Sequence, residues 1–340
     1  MEVPNVDVLC LGHRLERAFP YGRFFVNDDN FNFPANINQV HFLYPNLPFF
    51  RILYINFALL FWMLRALFSN RSSEKVIISY NIYSYNVLPF LFGKMFGIKS
   101  IVVVADPINE KSGKVNPIVK LSDGAIYLSS FLYENSKLQN KINIEGGIEE
   151  LPYQTKISNP FPDFSYILYT GKLSLSNGLE NLLNAFNLLE DKEIRLVLTG
   201  FGLTSNIKNL IDSNDRVICH EMINSKDLVG YYKHAKILIN PRLIYSKTND
   251  ANFPSKLLEY LSYKKPIIST MTKGIPGEYK KVIEFVYGDS EIELAEKISE
   301  VLRWSETQIG ARELEITGFI RNRKSWGIVA SSIKNFINEI

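Results

Sequence analysis

Residues that usually announce a metal or nucleophile site are scarce in this chain. Cysteine occurs twice, at Cys10 and Cys219, far apart and in strand-like runs. That usage suits buried thiols in a reducing compartment better than a disulfide. Four histidines with no zinc-type spacing to either cysteine leave no metal site to expect. No D-x-D occurs, so a metal-clamping carboxylate pair is absent. A G-x-S-x-G turn, a Walker loop and a strand-borne G-x-G-x-x-G are missing too. Their absence removes the hydrolase and P-loop readings and leaves a Rossmann dehydrogenase a poor third. An excess of one charge is also lacking: 38 basic against 35 acidic residues give a net charge of +3. The densest basic cluster, Arg321-Asn322-Arg323-Lys324, is short. This argues against a nucleic-acid partner and leaves room for an anionic ligand or membrane surface. The N-terminal MEVPNVDV has neither a basic n-region nor an apolar h-region, so no secretory signal is expected.

What is present describes a soluble globular protein. Its 340 residues, 46% hydrophobic and 21% charged, suffice for two domains with real cores. One segment, Ile52–Phe68 (ILYINFALLFWMLRALF), approaches spanning length, but Asn56 and Arg65 interrupt it. Two readings stand. It is a mostly buried helix of an α/β domain, or a helix partly exposed on a membrane surface. For the second, Phe57, Phe61, Trp62 and Phe68 lie near Arg51, Arg65 and Arg71. The polar Asn56 and Arg65 project from opposite sides of a helix, so there is no clean polar face. A mainly buried helix with one aromatic edge exposed is expected, with peripheral, salt-sensitive membrane binding at most.

From about residue 75 strands and helices alternate. Val76–Ser79 (VIIS) and Ile101–Ala105 (IVVVA) are continuous apolar runs, as parallel strands covered on both faces require, with helical content at Val87–Phe96 between them. Gly124–Leu128 reads as a strand, and a helix follows from about Ser130 to Leu138. A Gly/Pro-rich passage from Glu145-Gly146-Gly147 to Ser158-Asn159-Pro160-Phe161-Pro162 reads as a linker. Beyond it the alternation starts afresh, with strands at Tyr166–Thr170, Ile194–Thr199, Arg216–Cys219, Ile237–Asn240 and Pro266–Thr270. Helices read as Gly178–Leu189, Ser205–Ser213, Ser225–Ala235 and Pro254–Tyr263. Each strand–helix unit has the size of a βαβ crossover. Helices at Ile292–Trp304 and Phe319–Ile340 follow, the latter with an apolar stripe around Trp326. The fold class is α/β: two Rossmann-like, doubly wound domains facing a cleft. The first is placed at residues 1–150 and the second at 151–318, with a helix over 319–340 crossing back to the first.

Chemistry gathers at three turns. Gly171-Lys172-Leu173 follows one strand, and Ser176-Asn177-Gly178 then opens a helix. Thr199-Gly200-Phe201-Gly202 follows the next strand. Pro241-Arg242 follows a third, with a polar loop from Tyr245 to Asn252 before the helix at Pro254. Glycines at strand ends and helix starts let phosphates approach backbone N–H groups, and Lys172 adds a charge. Within FPSKLLEYLSYKKPII, Glu259 sits between Leu258 and Tyr260 in a helical apolar pattern. A carboxylate held there has either a salt-bridge partner or a ligand. With Ser255 on the same helix face, it stands where a sugar diol would follow a diphosphate resting on the helix N-terminus. In the first domain Asp106, at the end of IVVVADP, either orients or deprotonates an acceptor hydroxyl or caps the turn before Pro107. The isolated His13 is a lesser candidate.

The pieces YTGKLSLSNGLENLLNAF, LVLTGFG, YYKHAKILINPR and FPSKLLEYLSYKKPII occur in this order over roughly residues 165–275, preceded by SDGAIYLSSFLYENSK and INIEGGI. In that combination the chain resembles the GT-B glycosyltransferases, specifically the large retaining family 4 type of bacterial surface-polysaccharide synthesis. The resemblance implies that Lys172 stands where the family usually has an arginine on the donor diphosphate. It also implies that Glu259 is the ribose-binding second glutamate of a paired motif. The first glutamate of that motif falls at Ala251, with Asp250 beside it. The basic residue usual before the glycine falls at Asn177, which leaves Lys172, Arg242, Lys247 and Lys256 to neutralise phosphate. The usual opening strand, Gly-rich turn and helix are not legible: Val6–Leu11, leading to Gly12-His13-Arg14, reads as the second strand of such a domain.

The activity implied is transfer of a sugar from a nucleotide-diphosphate donor, with a UDP-sugar favoured, to a saccharide or lipid-linked saccharide acceptor. Retention, independence of metal, no cofactor and a cytoplasmic setting belong to the same implication, and peripheral contact with the inner membrane face is the expectation drawn from Ile52–Phe68. Asp106 and Lys172 are the expected catalytic residues. The expected donor-binding set is Gly171, Lys172, Asn177, Gly200, Gly202, Arg242, Lys247, Asp250, Pro254, Ser255, Lys256 and Glu259. A rival reading from another class is a catalytically silent GT-B subunit that stabilises a partner transferase. Ala251, Asn177 and the N-terminal departure motivate it.

Overall fold

Short apolar runs separated by amphipathic helical stretches favour one arrangement, parallel strands with helices packed on both faces. The computed structural model contains it twice. It describes residues 6–10, 25–26, 37–41, 44–45, 47, 50–68, 75–82, 87–106, 116–149, 157–246, 249 and 251–340. His13, Lys247 and Asp250 lie outside the described residues.

Two short pairs come first. Strand β1 (Val6–Cys10) runs parallel to β3 (Ile37–His41), and β2 (Phe25–Val26) pairs antiparallel with β4 (Tyr44–Pro45). Helix α1 (Phe50–Leu67) precedes a four-stranded parallel sheet in sequential order: β5 (Val76–Tyr80), β6 (Lys99–Val104), β7 (Gly124–Tyr127) and β8 (Lys141–Asn143). Helices α2 (Val87–Phe96), α3 (Pro117–Leu121) and α4 (Ser130–Asn135) connect these strands. Strands β3 and β8 are too short or too polar to stand out in the sequence.

Helix α1 is less buried than its composition suggests. Ile55, Leu59 and Met63 pack against Phe92 of α2, whereas Leu53, Phe57, Phe61 and Phe68 are exposed. The reason is position: β5, which α1 precedes, ends the four-stranded sheet, so one side of the helix has no described neighbour.

The second sheet has six parallel strands in the order β11-β10-β9-β12-β13-β14. They are β9 (Tyr166–Lys172), β10 (Arg195–Phe201), β11 (Val217–His220), β12 (Ile237–Asn240), β13 (Ile267–Thr270) and β14 (Glu284–Val286). Between them lie α5 (Leu179–Asn187), α6 (Ser205–Asp212), α7 (Ser225–His234) and α8 (Lys256–Ser262). Side chains of β9 alternate between two cores, as the strand period demands. Ile167 and Tyr169 join Leu183, Phe186 and Leu198 on one face, while Tyr166 and Leu168 join Val197, Leu238 and Tyr260 on the other. Strand order reverses at β9, which sits between β10 and β12, and a crevice opens outside the strand ends at such a switch point.

Three helices finish the chain: α9 (Glu291–Leu302), α10 (Glu306–Phe319) and α11 (Trp326–Glu339). The expected single helix from residue 319 is interrupted. A π-helical turn, Ile320–Lys324, ends at Ser325, whose backbone is extended and whose N–H reaches the Ile320 carbonyl at 2.7 Å. Helix α11 then returns to the first sheet as expected. Val329 and Phe336 pack with Ile101, Ile126 and Ile144, and Lys99 Nζ donates to the Ile337 carbonyl at 2.8 Å.

Candidate functional site

Loops leaving the C-terminal ends of β9, β10 and β12 meet at the switch point, and glycine permits the meeting. Strands β9 and β10 remain paired through Gly171 opposite Gly200. A Cβ on Gly200, whose φ is +152°, would stand 1.6 Å from the Gly171 carbonyl oxygen. A Cβ on Gly178, at φ +77°, would stand 1.7 Å from the Pro241 carbonyl oxygen, so the start of α5 touches the third loop. No side chain brings backbone this close; the site's floor is made of main chain.

Lys172, the exposed last residue of β9, is fixed through its own carbonyl. That oxygen accepts from the Tyr169 hydroxyl at 2.8 Å, the Asn177 amide at 3.0 Å and the Ser174 N–H at 3.0 Å. The Lys172 stem passes beside Gly202, and among the described residues its ammonium has no ion-pair partner. Asn177 therefore braces this loop with its amide. Burial pushes the Tyr169 hydroxyl up to about 12, while its Asn177 and Arg242 neighbours pull it down. Burial also lowers the Arg242 guanidinium, against the effect of Tyr169 and Tyr260 nearby.

The third loop is held by residues that sequence reasoning missed. Thr270 Oγ1 donates to the Arg242 carbonyl. Asn249, buried, donates to the Ser176 and Leu243 carbonyls, both at 2.9 Å, and so ties the third loop to the first. The Asp289 carboxylate accepts from the N–H groups of Ile244 at 2.7 Å and Tyr245 at 3.3 Å. The polarity of NDAN and YGDS does not set them apart from a solvated loop.

At the head of α8, Pro254 is buried and Ser255 is the exposed N-cap, with no side-chain capping bond. Glu259 has a salt-bridge partner in its own helix: Lys256 Nζ lies 2.5 Å from Glu259 Oε2. Glu259 is not buried, its side chain being 38% exposed. Leu257, Tyr260 and Leu261 take the inward face, which turns the intervening carboxylate outward. Lys256 Nζ also donates to the Tyr232 hydroxyl at 3.2 Å. Tyr232 shares a hydrogen bond with Thr170 Oγ1 at 2.9 Å, and Thr170 Oγ1 another with Tyr260 at 3.2 Å. This chain links the first turn of α8 to the C-terminal end of β9.

In the first domain, Asn81 organises Asp106. Asn81 is buried with φ +66°, and its Nδ2 donates to Asp106 Oδ2 at 2.7 Å. Its Oδ1 accepts from the N–H groups of Ala105 and Asp106, both at 3.2 Å. Asp106 itself is exposed. Ala251 is 6% exposed and shares an apolar cluster with Ile82 and Val104, the residues beside Asn81 and near Asp106. The third loop thus reaches the first domain, and a carboxylate at Ala251 would be buried among apolar side chains. Among the described residues, no group of three or more His, Cys, Asp or Glu side chains is gathered for a metal.

Residues 165–303 match the family model for glycosyl transferases group 1. The matched group 1 region carries all three loops and α8, and it supports a glycosyltransferase. Among curated proteins none matches the chain. Among solved structures, a glycosyltransferase from Rickettsia africae has 16% identity and a TM-score of 0.67, covering 89% of this chain and 85% of its own. Sucrose-phosphate synthase from Thermosynechococcus elongatus has 14% identity and a TM-score of 0.64, covering 98% and 88%. The Anabaena protein HepE, solved in complex with UDP and glucose, has 14% identity and a TM-score of 0.60, covering 77% and 78%. At these identities the likeness is one of fold: the chain has the two-domain, Rossmann-like GT-B architecture.

Proposed function

We propose that this protein transfers a sugar from a nucleotide-diphosphate donor, a UDP-sugar first, to a saccharide or lipid-linked saccharide acceptor. Retention at the anomeric carbon, without a metal, is part of the proposal. The observation that carries it is the convergence of three main-chain loops at the β9 switch point beside Lys172, whose ammonium has no ion-pair partner among the described residues. Lys172 and Arg242 would stabilise charge on the departing diphosphate, with the backbone N–H groups opening α5 adding to them. Glu259, exchanging Lys256 for a ligand, would accept hydrogen bonds from the ribose hydroxyls. Asp106, steadied by Asn81, would orient the acceptor hydroxyl and take its proton as the new glycosidic bond forms. UDP is favoured because a protein of the same fold was solved with UDP and glucose. The acceptor-side domain over 1–150, the donor domain over 151–318 and the returning segment 319–340 follow this division of labour. Surface-polysaccharide synthesis on the cytoplasmic face is the proposed setting.

Calorimetry with UDP, GDP and ADP, each without metal, tests the donor site; no binding of any of the three would sink this reading. A donor screen with product linkage read by NMR then tests the chemistry. One observation favours a second reading: Ala251 is buried against the first domain where the resemblance places an acidic residue. A silent subunit should co-purify with an active transferase and turn over no donor alone.

A further inference from the structure

Helix α1 divides into two sectors around its axis. At 100° per residue, Ile55, Leu59 and Met63 share the sector that packs on Phe92. Leu53, Phe57, Phe61, Leu64 and Phe68 share another sector about 80° wide on the opposite side. Exposure follows the division, at 70% for Phe57, 67% for Phe61 and 79% for Phe68. Arg65 is exposed at the edge of the stripe, and the neighbouring α2 exposes Lys94 and Met95 beyond it. Soluble proteins seldom leave so continuous an apolar stripe without a partner.

Charge identifies the partner. From Asn30 to Ser73 the sequence holds no aspartate or glutamate, while Arg51, Arg65 and Arg71 fall in or beside the helix. Aromatic rings with arginine and no carboxylate fit an anionic lipid surface, where rings sit at the headgroup boundary and guanidinium groups meet phosphates. Among the described residues no helix is long and apolar enough to cross a membrane, which leaves an in-plane arrangement. We propose that α1 lies in the plane of an anionic membrane, with the stripe Leu53–Phe57–Phe61–Leu64–Phe68 among the lipids. The proposal deepens the transferase reading and rests on it only for the lipid-linked acceptor; nucleotide affinity in free solution tests that reading separately.

Flotation of the full chain with vesicles of phosphatidylcholine, with and without phosphatidylglycerol, tests the proposal. Binding to the anionic vesicles is expected, weakened by high salt and released by carbonate. Phe57→Gln/Phe61→Gln should lower the partition coefficient at least about tenfold, with melting and UDP affinity unchanged. Arg65→Gln should lower it about fivefold, for anionic vesicles alone. Failure to float with either vesicle, equal flotation of the double variant, or binding that resists carbonate would overturn the proposal. So would self-association in solution that the double variant abolishes, since a second copy would then cover the stripe. If the double variant misfolds, Phe57→Trp replaces it: its emission should shift to the blue on adding anionic vesicles, and an unchanged spectrum overturns the proposal.

Discussion

Replacing Lys324 should be far more damaging than replacing the glutamate it pairs with. Lys324, in the π turn, is 7% exposed, and its ammonium contacts Glu145 Oε2 and lies 2.7 Å from Glu278 Oε1. It also sits 5.0 Å from the centre of the Tyr279 ring, while the Tyr279 hydroxyl donates to Glu145 Oε2 at 3.2 Å. One cation therefore serves two carboxylates, of which Glu145 is almost fully enclosed. Lys324→Met strands the enclosed Glu145 charge, while Glu278 keeps Arg323 at 3.6 Å, and removing one partner of a buried pair costs about 3–5 kcal/mol. Glu145→Gln leaves Lys324 paired with Glu278 and keeps an acceptor for Tyr279, so about 1–2 kcal/mol should be lost. The double variant should be more stable than Lys324→Met alone, because the glutamine removes the enclosed stranded charge. Denaturant unfolding of the wild type and the three variants measures all three terms. Simple additivity, or a loss below about 1 kcal/mol for Lys324→Met, would refute the reasoning.

At the loop junction, Gly200→Ala forces a Cβ against the Gly171 carbonyl at a φ that disfavours side chains, and should cost at least ~3 kcal/mol in denaturant melts. A loss under ~1 kcal/mol would mean that the loops separate freely. Glu259→Gln should weaken UDP binding by ~1–3 kcal/mol in calorimetry, whereas Lys172→Ala should depress turnover more than binding. Wild-type affinity and rate in both variants would mean that the donor site is misplaced. Ala251→Glu buries a carboxylate among apolar side chains and should cost at least ~2 kcal/mol without raising activity; a gain in turnover would show that the first domain withdraws from this loop.

Most of the second sheet was legible because its strands are continuous buried apolar runs, and β12 over Ile237–Asn240 agrees residue for residue. Strand β14 was not, since Glu284-Phe285-Val286 is three residues long and opens on a charge. Helix α10 was missed because it buries little beyond Ile316 and Phe319, which leaves a weak apolar stripe. The three glycine loops were found from punctuation after strands, but their contacts depend on backbone proximity that no spacing encodes. Glu259 misled for the opposite reason: apolar neighbours at helical spacing say which face is buried, and a residue between them can point outward. Asn81, Asn249 and Asp289 carried no signal of their own, because a braced loop and a solvated polar loop have the same composition.

Because α11 covers the first sheet, the two halves of the chain should not mature in the order in which they are made. Lys99 waits for the carbonyl of Ile337, 238 residues further along, before its side chain is satisfied as in the folded protein. During synthesis the face formed by Ile101, Ile126 and Ile144 stays uncovered while the entire six-stranded domain emerges and folds. The early half should therefore stay protease-sensitive longer, and a truncation before Trp326 should injure the domain farthest from it in sequence. A pulse-proteolysis pattern in which the six-stranded half resists first would be the signature of that inverted order.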